Sequence, residues 1–240
     1  MFRKILDAML AVAYPQACQN CGNSVEQSAD GVACGDCWQA TQIYSGAETL
    51  CAKCGTFQQN KPLNYQTFCH RCDAHCYDAA AAIGIYGHAL TASIIYLKRE
   101  PFVAARLKKL LLARFLNSAF RDVELIVPVP LSKKRNLERG YNQAVVLAKI
   151  LARQTEINLD EQSLTRQIHT PMHRAGMDEK ARAKSVKDAF VVKRPKLIEG
   201  KTILLVDDVF TSGATVSACA ETLKKSDAKA IYVLTLAKTL

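Results

Sequence analysis

The 240-residue chain has no run of about eighteen consecutive apolar residues, the length a helix needs to cross a bilayer, so no helical membrane span is predicted. Its opening, Met1-Phe-Arg-Lys-Ile-Leu-Asp-Ala-Met-Leu-Ala-Val-Ala13, has the superficial cast of an export signal. Asp7, however, interrupts an apolar core that is already short. Phe2, Ile5, Leu6, Met9 and Leu10 recur at helical spacing, which predicts a short docking helix within residues 1–17. Acids are scarce: 22 Asp and Glu against 32 Lys and Arg leave a formal charge of +10. Such an excess points toward a polyanionic partner, although solubility alone accounts for many charges of this size. Cysteine almost vanishes after residue 76, where only Cys219 remains of ten. Nine crowded cysteines without an export signal argue against a secreted disulfide scaffold. The lack of a thioredoxin-like βαβ pattern around them argues against redox dithiols. A P-loop is missing too: Gly200-Lys201-Thr202 leads into a strand, and Pro195 stands where the first glycine belongs.

Eight of the cysteines form four C-x-x-C pairs: Cys18/Cys21, Cys34/Cys37, Cys51/Cys54 and Cys69/Cys72. Two intervening residues let a tight turn aim both thiolates at one tetrahedral ion, and Gly22 and Gly55 suit the turn after the second ligand. Residues 18–76 are therefore predicted to be a small Cys-rich domain like a double zinc ribbon, with these eight cysteines holding one or two structural zinc ions. Sequential pairing is the simplest assignment, and an interleaved one also satisfies the spacing. His70, His75 and Cys76 crowd the last pair and offer substitute ligands, but four cysteines already complete each tetrahedron. A closed four-ligand site leaves no place for a catalytic water, so the block is scaffold or contact surface. With few large apolar residues here, the metal must supply much of the folding free energy. Each four-thiolate zinc site contributes about −2, which leaves the chain roughly +6 and still basic.

Residues 77–240 read as one domain. Ala79 to Tyr86 suits a strand closed by Gly87, residues 90–98 a helix, and Pro101 the start of another helix to about Asn117. Leu125-Ile-Val-Pro-Val-Pro130 is a strand whose ladder should stop near Val127, because proline donates nothing. After it come Lys133, Lys134, Arg135 and Arg139, read as a basic loop that clamps a pyrophosphate, touches a nucleic-acid backbone, or simply stays solvated. A helix follows to about Arg153, and residues 156–190 form a polar, charged insertion that either covers a site or, as is commoner, carries its lysines and arginines simply for solubility. Cys219 reads as small core filler. Short strands at Val191-Val192 and Ile231 to Leu236 complete an alternation that predicts a parallel sheet flanked by helices.

The densest chemistry lies at Thr202-Ile-Leu-Leu-Val-Asp-Asp-Val-Phe-Thr-Ser-Gly-Ala-Thr-Val216. Ile203 to Val206 has no polar alternation, the mark of a strand buried on both faces. Asp207 and Asp208 follow where that strand should end. Thr211, Ser212, Gly213, Ala214 and Thr215 then make a small-residue turn into a helix from about Val216 to Lys225. Unpaired N–H groups and the helix dipole at such a turn favour a phosphate. The adjacent carboxylates would accept hydrogen bonds from sugar hydroxyls. Together they ask for a ribose 5-phosphate. Ligands of a parallel sheet bind beyond the carboxyl ends of its strands, where both the 128–140 and 207–215 loops fall.

This stretch resembles the phosphoribosyl pyrophosphate (PRPP) motif of type I phosphoribosyltransferases. Taken with Val127-Pro-Val-Pro130, Arg139-Gly-Tyr-Asn-Gln-Ala144 and the cysteine pairs, the chain is similar over nearly its whole length to the competence protein F family (ComFC, GntX). Ala237-Lys-Thr-Leu240 also resembles the ending of gammaproteobacterial members. In the insertion Arg166, Thr170, Arg182 and Phe190 fit the family. His173 and Ser185 stand where it usually has glutamine and asparagine. The resemblance implies an α/β fold with a type I phosphoribosyltransferase-like parallel sheet behind the zinc domain. It implies that Asp207 and Asp208 bind ribose hydroxyls, that Thr211 to Thr215 bind the 5-phosphate, and that magnesium bridges pyrophosphate and ribose oxygens. It implies a cytoplasmic protein of natural transformation or DNA uptake that handles incoming single-stranded DNA. The work would be done beside the inner membrane, with an ATP-driven translocase or helicase as partner. The alternative is an active transferase using PRPP. It needs a nucleobase pocket under residues 79–98 and a catalytic loop, and it shows no dedicated base or nucleophile, although positioning and charge stabilisation can carry such a displacement. A PRPP-sensing regulator has no helix-turn-helix to support it.

Overall fold

The computed structural model describes residues 16–58, 67–167 and 189–240. Most of the expected docking helix, and Thr170, His173, Arg182 and Ser185 of the insertion, lie outside the described residues. In chain order the elements are α1 (Gly35–Ala40), β1 (Ala79–Ile85), α2 (His88–Leu97), α3 (Ala105–Leu116), β2 (Leu125–Pro128), α4 (Lys133–Arg139), α5 (Gln143–Thr155), β3 (Asn158–Leu159), β4 (Leu164–Arg166), β5 (Phe190–Val192), β6 (Thr202–Phe210), α6 (Ala214–Lys224) and β7 (Ala230–Lys238). Five strands form one parallel sheet in the order β1-β7-β6-β2-β3, and β4 pairs antiparallel with β5. No helix among the described residues is long and apolar enough to cross a membrane.

Strand β6 is central, which explains its composition. Ile203, Leu204, Leu205 and Val206 are fully buried because helices cover both faces of the sheet. The strand runs further than its apolar core suggests. Asp207 and Asp208 lie inside it rather than beyond its end, since β7 stays in register to Phe210↔Lys238. On the other side β2 gives out at Pro128↔Val206, with one more bond from the Val129 N–H to the Val206 carbonyl. Pro128 and Pro130 have no N–H to extend that ladder. The acidic pair therefore sits on a strand held on one side only, at the carboxyl end of the sheet.

Two further expectations are corrected. The helix expected at Pro101 starts at Ala105, because Ala104 is extended and both Val103 and Ala104 are buried. Gly31, at φ +77°, passes so near Ala104 that a Cβ there would lie 2.6 Å from the Ala104 Cβ. The basic loop at 133–139 is helix α4. The Ser132 hydroxyl accepts from the Arg135 N–H at 3.4 Å at its start, and Gly140 ends it in the left-handed region at φ +75°.

The cysteine-rich segment docks on the open edge of the sheet. Ile43 bridges Gly84 antiparallel, the Tyr44 N–H donates to the Ile83 carbonyl, and the Ile85 N–H donates to the Gln42 carbonyl. A Cβ at Gly84 would fall 2.2 Å from the Gln42 carbonyl oxygen, so only glycine permits this approach. Gly84→Ala is expected to destabilise the protein by roughly 1–3 kcal/mol through overpacking against rigid backbone. Thermal unfolding checks it, and an unchanged melting temperature would show that the edge contact is dispensable.

Candidate functional site

The eight predicted cysteines converge as two separate tetrads, Cys18/Cys21/Cys34/Cys37 and Cys51/Cys54/Cys69/Cys72, in sequential pairing. Within each tetrad all four Sγ atoms lie within 4.8 Å of one another. Close Sγ–Sγ approaches are 3.7 Å for Cys18–Cys37 and 3.5 Å for Cys21–Cys34 in the first, and 3.6 Å for Cys51–Cys72 and 3.4 Å for Cys54–Cys69 in the second. A tetrahedral ion at about 2.3 Å from each sulfur asks for edges of roughly 3.8 Å, so both donor sets fit zinc. N–H groups already point at the sulfurs: Asn20 to Cys18 at 3.4 Å and Cys69 to Cys51 at 3.3 Å, with the Asn20 amide to Cys37 at 3.1 Å. Burial raises the Cys18 thiol, but N–H groups of Cys34, Cys21 and Asn20 outweigh it and bring it down to about 6. In the second tetrad, burial likewise opposes the N–H groups of Cys54, Cys69 and Lys53, which still bring Cys51 down to about 7. A partly ionised thiol in each set is what a metal captures first. His70 is exposed and His75 turns away to the Tyr77 hydroxyl at 2.6 Å, so neither joins a tetrad.

At the sheet's carboxyl edge the acidic pair is set by its own backbone. The Asp208 N–H donates to Asp207 Oδ1 at 2.8 Å, and the Val209 N–H donates to Asp208 Oδ1 at 2.9 Å. Burial, then the neighbouring Asp208 charge, push the Asp207 carboxyl well above the ordinary carboxylate range. Asp208 is buried and holds Lys98 Nζ at 3.0 Å through Oδ2. The same oxygen accepts from Gln143 Nε2 at 3.4 Å, and Gln143 Oε1 accepts from Arg139 Nη1 at 2.9 Å. Arg139 is thereby tied to the acidic pair. Burial and the Arg135 charge lower the buried Arg166 guanidinium, while Asp207 acts on it in the opposite sense. Lys133 and Lys134 are exposed and make no ion pair with the acids among the described residues.

The loop that follows turns at Gly213, φ +79°, which caps α6 without a side-chain hydrogen bond. The Ser212 hydroxyl accepts weakly from the Ala214 N–H at 3.4 Å. Helix α6 so begins with N–H donors suited to an anion, a few residues after the carboxylates of a strand held on one side. Asn142 shapes the neighbouring turn: its amide donates to the Val129 carbonyl at 2.9 Å and its Oδ1 accepts from the Ala144 N–H at 3.0 Å. The Tyr141 hydroxyl donates to the Leu97 carbonyl at 2.5 Å, fastening α5 to the end of α2 beside Lys98. The sequence marks Gln143 and Arg166 only through the family resemblance, without a partner, and does not mark Lys98 at all. Lys98 reads locally as the cationic end of an apolar helix, and nothing nearby in sequence announces its partner.

A cavity of about 370 Å³ lies elsewhere, between the ribbon and α3, lined by Ile43, Tyr44, Ile83, Leu110 and Arg114 among others, and none of residues 207–215 line it.

Two family models match the chain: one described as a double zinc ribbon domain over residues 9–73, and one as a phosphoribosyl transferase domain over residues 141–239. With the parallel sheet and the tetrads, these define the class: a phosphoribosyltransferase-like fold behind a double zinc ribbon. The chain is 30% identical over 215 residues to the DNA utilization protein YhgH of Escherichia coli K12, covering 86% of this chain and 90% of that one. It is 30% identical over 233 residues to competence protein F of Haemophilus influenzae Rd, covering 92% and 96%. Competence protein ComFC of Bacillus subtilis 168 is 31% identical over 120 residues, 48% of this chain and 45% of that protein. The chain belongs to the competence protein F family, which includes ComFC and the YhgH proteins.

Proposed function

We propose that this protein handles single-stranded DNA in the cytoplasm during DNA uptake or use, and that the Asp207–Thr215 region is a ribose-phosphate pocket shared with or adjoining the DNA path. One observation carries the reading. A carboxylate pair on a strand held on one side runs directly into the Gly213 turn that opens α6, whose first N–H groups suit an anion, and Arg139 is tied to the pair through Gln143. The names of its relatives, DNA utilization and competence proteins, and the +10 charge support DNA as the polyanion. In this reading Asp207 and Asp208 bind ribose hydroxyls, and Thr211, Ser212, Gly213, Ala214 and Thr215 surround the 5-phosphate. Magnesium would accompany PRPP here, supplying charge neutralisation to its phosphates beside Asp207 and Asp208. Helix α4, with Lys133, Lys134, Arg135 and Arg139, carries the backbone or pyrophosphate contacts. Residues 18–76 and 77–240 are the working division into zinc and ribose-phosphate domains, with an ATP-driven translocase or helicase as the functional partner and peripheral contact with the inner membrane.

Phosphoribosyl transfer is the second reading. The Lys98–Asp208 pair favours it, because a ribose that takes over the carboxylate frees an ammonium to meet pyrophosphate.

Replacing Lys133, Lys134 and Arg135 by glutamate is expected to weaken single-stranded DNA binding. If all three contact phosphates, it should flatten the log–log salt dependence by about 2 units, because each single-strand contact contributes roughly 0.7. Titrations at several salt concentrations check this, and an unaltered slope would move the DNA path off α4.

A further inference from the structure

The two zinc tetrads occupy different places in the core. The first packs with Trp38, Leu90, Ile94, Leu107 and Leu111. It is fixed to α3 by Arg106, whose guanidinium lies 3.1 Å from the Asp30 carboxylate and 4.8 Å from the centre of the Trp38 ring. The second packs with Tyr77, Phe210, Val216 and Cys219, which border the phosphate loop.

Direct contacts join the second tetrad to that loop. Lys238 is buried; its Nζ donates to the carbonyl of the tetrad residue Cys54 at 2.9 Å and lies 3.6 Å from the centre of the Phe210 ring. Phe210 and His75 close over Gly213 so tightly that a Cβ on the glycine would lie 2.6 Å from Phe210 Cζ and 2.8 Å from His75 Cε1. The chain leaving Cys72 supplies His75, and its next residue, Cys76, donates its N–H to the Ser217 hydroxyl on α6 at 3.0 Å. Tyr77 meets Phe210 edge-on at 6.0 Å. A buried ammonium on an aromatic face and a carbonyl acceptor is a stiff contact, because leaving either partner unpaired in the interior is costly.

We propose that the second zinc knuckle is the buttress of the phosphate loop, with Lys238 and His75 as positioning residues, and that the first knuckle plays no part in it. The inference rests on reading Thr211–Thr215 as the phosphate loop. Loss of the second ion releases Cys54 and the segment after Cys72. Phe210 and His75 then no longer hold Gly213 in its left-handed turn. Loss of the first ion disturbs the contacts to α2 and α3 and leaves the loop as it is.

The test compares Cys72→Ser and Cys37→Ser in the full chain, each expected to lose one zinc ion. Two readouts are taken: hydrogen exchange of the amides of residues 211–217, and the affinity for ribose 5-phosphate. Cys72→Ser should speed exchange there and weaken binding by about 10–100-fold, the usual cost of a lost supporting contact, while Cys37→Ser leaves both near wild type. Lys238→Met, which keeps both ions, should reproduce the loop change without zinc loss, and Lys238→Arg should restore it in part. Equal effects of the two cysteine variants on the loop, or a Lys238→Met loop indistinguishable from wild type, would overturn the inference. If wild type does not bind ribose 5-phosphate, the ligand reading fails, and the exchange data still decide whether the second knuckle holds the loop.

Discussion

Replacing Asp207 and Asp208 together by asparagine is expected to weaken ribose 5-phosphate and PRPP binding by about 100-fold while the melting temperature stays level or rises. Asparagine keeps one neutral acceptor oxygen but loses the charge-assisted bonds, roughly 1.5–3 kcal/mol each against about 0.5–1.5 for neutral ones, so the two exchanges together remove about two factors of ten. The stability argument runs the other way. Asp207 is held well above the ordinary value of 3.8 by burial and by Asp208. A carboxyl so raised binds its proton more readily folded than unfolded, so its ionisation destabilises the fold. That penalty is absent below the ordinary value and grows as pH climbs from there toward the raised one. Asparagine keeps the shape and removes the penalty. Lys98 loses its partner, but it is partly exposed and water replaces the contact at small cost. Calorimetric titration and thermal unfolding check both halves. Unchanged affinity would sink the pocket, and lost affinity with a collapsed melting temperature would make the acids structural.

Stripping the metal should have the largest effect on the fold. A strong chelator at neutral pH is expected to release two zinc ions per chain and unfold the cysteine-rich segment, since structural zinc contributes about 10–16 kcal/mol to small domains of this kind. Thiol reactivity reports it directly. Of ten cysteines, eight lie in the tetrads and Cys219 is buried, so the loaded protein should offer mainly Cys76 to a thiol reagent. Chelation should add the eight tetrad thiols, and Cys219 should remain protected as long as the sheet is folded. A chelator that leaves thiol reactivity unchanged would contradict zinc ligation by the tetrads.

Local signals foretold much of this molecule. The eight metal-ligating cysteines follow from spacing, because a two-residue gap constrains where both sulfurs point, but which pairs share a tetrad is settled only by the fold. The central strand follows from Ile203 to Val206, apolar on every side because both faces are covered. Long-range contacts were not legible. The strand continues through Asp207 and Asp208 because β7 outruns β2, a relation between strand lengths that no single segment contains. Ala104 stays extended because Gly31 needs it close, overriding the helix start that Pro101 offers. Helix α4 could have been read from Ser132 and Gly140, a cap and a stop around seven residues of which all but Asn136 are good helix formers. Lys98 and Lys238 meet Asp208 and Cys54 far along the chain, and a lysine's own neighbours do not name its partner.

The most direct test of the account is the binding of labelled single-stranded DNA over a salt series, with and without PRPP and magnesium. The account predicts sequence-tolerant binding that falls steeply with salt, and competition by PRPP that places the DNA in or beside the Asp207–Thr215 pocket. Tight PRPP binding with no DNA affinity at physiological salt would contradict it and leave phosphoribosyl transfer as the reading to pursue.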